Sequence, residues 1–274
     1  MVSADSNFQR KQFPLKNQTI LITGVSRLNG IGCAAAKQAA ALGATVVIQH
    51  FRPHDENMPW GADSLETVKQ SIEAELVGEA ALYDIHADFT DEKSAEEVMQ
   101  YACEKAGTIS GLVCNHASSA ADGSIGELNA AMLDHHWQVN ARSVLLLTQA
   151  FAAQFPQSAT NGRIIYLTSG QRSGPMPGEI AYSASKGALA DLTLTIADQL
   201  ADKQITVNTI NPGPVDTGYL SESDKAKALS KFPFGRFGKP EDPARLIGWL
   251  LTDESRWITG QIIHSEGGFA RWRP

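Results

Sequence analysis

Short apolar runs and longer helix-patterned stretches alternate along this chain. Ile20–Thr23, Thr45–Gln49, Ala81–His86, Leu112–Asn115, Arg163–Thr168, Thr206–Ile210 and Gln261–His264 read as strands. Short, continuous apolar runs of this kind indicate strands covered on both faces. Between them Ile31–Leu42, Ser64–Val77, Asp91–Ala106 and Pro240–Leu251 carry helical spacing, as do Val139–Phe155 and Ala181–Leu200. Helical crossovers imply parallel pairing, and right-handed crossovers place helices on both sides of the sheet. The expectation is an α/β fold of Rossmann type, a doubly wound seven-stranded parallel sheet in a single domain. No linker-like stretch divides it. Residues 1–17 are polar and read as a short flexible tail, leaving 18–274 as the domain.

Ligands of such a sheet bind at the carboxyl ends of the strands, and the residues with chemistry gather there. "TILITGVSRLNGIG" is a strand, a glycine-rich turn and the start of an Ala-rich helix. Gly24, Gly30 and Gly32 would let backbone approach a phosphate at the helix N-terminus, where free N–H groups and the helix dipole favour anions. Ser169 follows the strand "GRIIYLTSG", and Asn140 stands at the head of the apolar helix "ARSVLLLTQAF". Tyr182 and Lys186 lie four apart in "AYSASKGAL", on one helix face. A phenol has an unperturbed pKa of about 10, and an ammonium beside it favours the phenolate. Each feature alone has a plain structural explanation; their order along the chain is what carries meaning.

The ordered set resembles the short-chain dehydrogenase/reductase family, from about Gln18 to Phe269. The resemblance implies strand order 3-2-1-4-5-6-7 and a catalytic set of Asn140, Ser169, Tyr182 and Lys186. Tyr182 would exchange a proton with the substrate oxygen, Ser169 would donate to the same oxygen, and Lys186 would lower the phenol pKa and hold a ribose hydroxyl. Asn140 would anchor a water. The glycine turn, with Ser26, Arg27 and Ile31, would hold a nicotinamide dinucleotide. Asp88 and Phe89 would meet the adenine, Asn115 the adenosine side, and Pro212, Gly213, Val215 and Thr217 the nicotinamide. Five residues separate Gly24 from Gly30, two more than in the family's usual loop and like its enoyl reductase branch, but the Tyr–Lys spacing is that of carbonyl reductases. No carboxylate ends the second strand; Gln49, His50, Phe51 and Arg52 stand there, and Asp55 comes later. With Arg27 and Arg52 available for a 2′-phosphate, NADP(H) is expected over NAD(H).

The substrate is expected to be a small carbonyl or alcohol compound. The segment 217–238 would cover it, and "GRFGKPED" and "ITGQIIHSEGGF" resemble 3-oxoacyl-[acyl-carrier-protein] reductases. Sugar, polyol and other alcohol dehydrogenases share that ending, and a catalytically idle NADP-binding scaffold is a further alternative. Arg142, Arg172 and Arg236 are candidates for docking a carrier protein. A formal charge of -7 argues against a nucleic-acid partner. No run approaches the roughly 18 apolar residues of a membrane span. Cys33, Cys103 and Cys114 are odd in number and lack C-x-x-C spacing, which points to a reduced, cytoplasmic setting. No metal is expected, since His135 and His136 are adjacent and face different helix sides. The apolar faces of the helices over Val139–Phe155 and Ala181–Leu200 exceed what one buried side requires, and a homotetramer follows from the family resemblance.

Overall fold

Seven strands carry side chains into two separate apolar layers. They are β1 (Thr19–Thr23), β2 (Thr45–His50), β3 (Leu82–His86), β4 (Gly111–Cys114), β5 (Gly162–Leu167), β6 (Ile205–Asn211) and β7 (Ile262–His264). A computed structural model describes residues 11–270 and 272, apart from the side chains of Glu222 and Asp224. The strands form one sheet in the order β3-β2-β1-β4-β5-β6-β7, and every pairing is parallel. The order reverses between β1 and β4, so a crevice opens beyond the C-terminal ends of those two strands.

The helices are α1 (Ile31–Ala41), α2 (Arg52–Glu56), α3 (Leu65–Glu73), α4 (Ser94–Ala106), α5 (Ala130–Trp137), α6 (Ser143–Gln154), α7 (Ile180–Ala201), α8 (Glu222–Ala228) and α9 (Glu241–Leu251). On one sheet face Ile20, Ile22, Val46, Ile48 and Val113 pack with α1, α3 and α9. On the other, Leu21, Val47, Leu112, Ile164 and Tyr166 pack with α4, α6 and α7. The period-two alternation of strand side chains thus serves two cores, which is why the inner strands are apolar at consecutive positions. The edge strands β3 and β7 are only half-buried, so burial on both faces holds for the interior of the sheet alone.

Two expectations change in detail. The tail expected over residues 1–17 is docked at its C-terminal end: Leu15 is buried and its N–H donates to the Leu42 carbonyl. Residues 1–10 lie outside the described residues, as do 271, 273 and 274 of the C-terminal run. The polar stretch after β2 contains α2, whose Pro53 sits in the first turn, where a missing N–H costs nothing. The segment 217–238 carries α8, and its Phe232 is buried against Phe237 and Phe269, with ring centroids 4.3 and 4.8 Å away.

Candidate active site

The glycine turn is built for close backbone approach. Gly24 has φ +72°, and a Cβ there would lie 2.6 Å from the His116 Cα. A Cβ on Gly32 would lie 2.5 Å from the Gly24 carbonyl oxygen. The N-terminus of α1 has no side-chain cap and no acid in its first turn. Its first N–H groups are therefore free for an anion. Gln49 fixes the turn from β2: its Oε1 accepts from Gly24 N–H at 3.0 Å and its Nε2 donates to the Ala87 carbonyl at 2.7 Å. Asn115, at the end of β4, donates to the carbonyls of Thr23 and Gly24 at 3.1 and 3.0 Å.

His116 ties three elements together. Its Nδ1 lies 2.6 Å from the Thr23 hydroxyl and its Nε2 lies 2.8 Å from the Ser143 hydroxyl and 3.1 Å from the Val139 carbonyl. Burial pushes its pKa down to about 3, and the charge of Lys186 acts in the same sense, so it is a neutral structural imidazole.

Two adjoining cavities, of about 330 and 510 Å³, lie over this end of the sheet. Arg27, Ile31, Trp60, Ala117 and Thr217 line both, so they form one continuous crevice. Gly24, Ser26, Gly30, Gly32, Asp88, Phe89 and Asn115 line the first. Ser169, Tyr182, Pro212, Gly213 and Val215 line the second. An extended dinucleotide fits this arrangement, with its anionic middle at the uncapped end of α1.

Lys186 and Asn140 lie beneath the crevice wall. Lys186 is buried, donates to the Leu167 carbonyl at 2.9 Å and places its Nζ 6.0 Å from the Tyr182 ring centre. Burial pushes its pKa down to about 8. Asn140 sits in a π-helical turn, Gln138–Arg142, between α5 and α6. Such turns interrupt a regular helix and commonly mark functional positions. The Asn140 Oδ1 accepts from Ser118 N–H at 2.7 Å, and its Nδ2 donates to the Ser118 carbonyl and the Ser185 hydroxyl, both at 3.1 Å. The Ser185 hydroxyl donates to the Tyr182 carbonyl at 2.7 Å, linking the turn to α7.

Tyr182 is half-buried on the cavity wall. Burial pushes its pKa up to about 12, the Glu179 carboxylate adds to this, and the Ser169 side chain opposes it. The expected lowering by Lys186 does not prevail: desolvation is the largest influence on the phenol, and the Lys186 ammonium lies 6.0 Å from the ring centre.

Asp122 was not singled out by its sequence context. Its carboxylate accepts from the N–H groups of Ala181 at 3.0 Å and Tyr182 at 2.8 Å, in the first turn of α7, and from Gly123 at 2.8 Å. Burial raises its pKa, but these three donors outweigh burial and hold it below the usual carboxylate range. His136, wholly buried, lies edge-on to the Tyr182 ring at 6.1 Å and 4.0 Å from Asp122.

Five residues expected at the cofactor or a carrier protein have partners of their own. His50 pairs with Asp84 at 3.3 Å and Arg52 with Glu56 at 3.0 Å, and neither lines the crevice. Of the proposed carrier-docking residues, Arg172 pairs with Asp191 at 2.7 Å and Arg236 with Asp242 at 2.6 Å. Arg142, the third, donates to the Thr90 carbonyl at 2.6 Å. Among the described residues, no group of three or more His, Cys, Asp or Glu side chains is placed to hold a metal ion.

A family model described as "Enoyl-(Acyl carrier protein) reductase" matches residues 24–270. The uncharacterized oxidoreductase YjdA of Bacillus subtilis is 41% identical over 253 residues, covering 92% of this chain and 96% of the relative. The 3-oxoacyl-[acyl-carrier-protein] reductase FabG of Thermotoga maritima is 32% identical over 257 residues, covering 93% and 98%. Among solved structures, a short-chain dehydrogenase/reductase mutant of Serratia marcescens superposes with a TM-score of 0.81 at 30% identity, covering 94% of this chain and 99% of that one.

Proposed function

The chain belongs to the short-chain dehydrogenase/reductase family, and from that premise we propose that it interconverts a small carbonyl compound and its secondary alcohol, with NADP(H) preferred. The observation that carries this is that Ser169 and Tyr182 share the wall of the second cavity, with Lys186 buried on the Tyr182 helix. A bound nicotinamide supplies or accepts the hydride. Tyr182 then stands as the acid: with a pKa of about 12 it is fully protonated near neutrality, ready to donate to a developing alkoxide. Ser169 is the second donor to that oxygen, a role worth roughly 2.7–4 kcal/mol in comparable oxyanion sites. Lys186, below its pKa of about 8, offers an ammonium to a ribose hydroxyl. Asn140 holds the Ser118 loop against α7 and, in this reading, anchors the water expected near Lys186. Gly24, Gly30, Gly32 and Ile31 cradle the phosphates, and Arg27 is the guanidinium of the crevice offered to a 2′-phosphate. The segment 217–238, with Tyr219 on the cavity wall, is the proposed substrate cover.

The cavity favours a neutral substrate. Asp122, Glu179 and Glu266 line it along with Met176 and Phe269. Carboxylates there repel an acidic compound and accept from hydroxyls. Since Arg142, Arg172 and Arg236 are each engaged, the sugar, polyol or other alcohol reading is favoured over a carrier-bound 3-oxoacyl thioester. The proposal includes a cytoplasmic location and a homotetramer. For the latter, Leu194 on α7 is 67% exposed, and Leu145 and Leu146 on α6 are only half-buried. The test is kcat/KM for acetoacetyl thioester, aldoses and cyclic ketones with both cofactors. Faster turnover of a neutral hydroxylated or cyclic carbonyl supports the reading. Preference for the thioester restores the acyl reading, and turnover of none favours the idle scaffold.

A further inference from the structure

The sequence after β2 places no carboxylate at the strand end, yet the structure brings one into the crevice from the next element. Asp55 on α2 is 7% exposed and lines the first cavity beside Ser26 and Arg27. One of its oxygens accepts the Ser26 hydroxyl; the other accepts the Trp60 indole N–H at 3.2 Å. The same oxygen lies 3.9 Å from the Arg27 Nε. Arg27 in turn lies over the Trp60 ring, 5.4 Å from its centre, and donates to the Thr217 carbonyl. The stretch from Arg52 to Trp60 therefore folds back on the glycine turn and holds its arginine between a carboxylate, an indole face and a carbonyl.

We infer that Asp55 is the residue that sets how strongly this crevice distinguishes a 2′-phosphorylated from an unphosphorylated adenosine. Its carboxylate competes with a 2′-phosphate for Arg27 and repels that phosphate directly, while costing an unphosphorylated ribose nothing of this kind. The inference rests on the proposed role of Arg27 at the cofactor, but it concerns a change in ratio rather than the wild-type preference itself. Asp55 differs from an acid at a strand end in being steered into place by two side chains, Ser26 and Trp60. Either can be altered without touching the charge.

Isothermal titration of the full chain with 2′,5′-ADP and with 5′-AMP reads this directly, without turnover. Asp55→Asn is expected to raise the affinity for 2′,5′-ADP at least about tenfold, the scale of one charge-assisted contact, while 5′-AMP stays within about threefold. Trp60→Phe keeps the charge and an aromatic face over Arg27 and removes only the indole donor to the carboxylate, so the ratio is expected to rise by about threefold, well short of Asp55→Asn. An unchanged ratio in Asp55→Asn, or an equal rise in Trp60→Phe, overturns the inference. Should Asp55→Asn not fold, Ser26→Ala removes only the hydroxyl that holds the carboxylate; the ratio is then expected to rise at least about threefold. No rise there overturns it equally. A wild type that prefers 5′-AMP would sink the NADP(H) reading while leaving the Asp55 shift to be judged separately.

Discussion

Replacing Asp122 by asparagine tests whether the first turn of α7 is what holds Tyr182 in place. In the native chain one carboxylate oxygen accepts from Ala181 and Gly123, and the other accepts from Tyr182 N–H at 2.8 Å. An asparagine can keep the first pair, but its amide then presents N–H groups to the Tyr182 N–H. One charge-assisted bond is lost and a helix N–H is left unpartnered. Hydrogen bonds to charged groups contribute about 1.5–3 kcal/mol. The Asp122 side chain is 8% exposed on a cavity wall, where water can replace part of the loss, so the lower half of that range applies. At about 2–4 °C per kcal/mol for a chain of comparable size, the melting temperature should fall roughly 3–9 °C. Kinetically, a displacement of about 1 Å at a reacting group can cost 100-fold. His136 still packs edge-on to the ring, so kcat should fall about 10–100-fold. Cofactor affinity should hold, because Asp122 lines only the second cavity. The assay is thermal unfolding alongside steady-state kinetics and cofactor titration. Unchanged melting and full kcat would refute the capping role.

Two further expectations concern charge and assembly. Lys186 loses its ammonium above a pKa of about 8, so kcat/KM for the cofactor should fall on an alkaline limb near that value. Lys186→Arg, which stays charged, should move the limb upward, and a limb unmoved in that variant assigns the titration to another group. Light scattering at micromolar concentration should find four chains of 29.5 kDa together, about 118 kDa. A monomer would refute the assembly and leave Leu194, at 67% exposure, as a plain surface residue.

The sheet was legible because two-sided burial leaves an unmistakable mark: Leu21 and Ile22 face different cores, and both must be apolar. Gly24, Ser169 and Tyr182 were legible because strand ends fix where a crevice must open. What escaped was set by chain reversal. Asp55 lies in a polar stretch without periodicity, and nothing local says that α2 folds back towards Ser26. Asp122 sits in an irregular loop 59 residues before Ala181, whose N–H it accepts. The phenol's environment lay outside the sequence for the same reason: a lysine four residues away is legible, but the burial that acts against it is not. The partners of His50 and Arg52 were hidden for a related reason: Asp84 on β3 and Glu56 on α2 pair with them, and neither side chain lines the crevice.

The central claim is that Tyr182 moves the substrate proton. Tyr182→Phe removes one hydroxyl and keeps the ring against His136. Turnover of the best carbonyl substrate from the panel should drop below about 1% of wild type, the loss expected when a general acid is removed, with cofactor affinity within about twofold. A variant that keeps more than a few per cent of wild-type turnover would contradict the account.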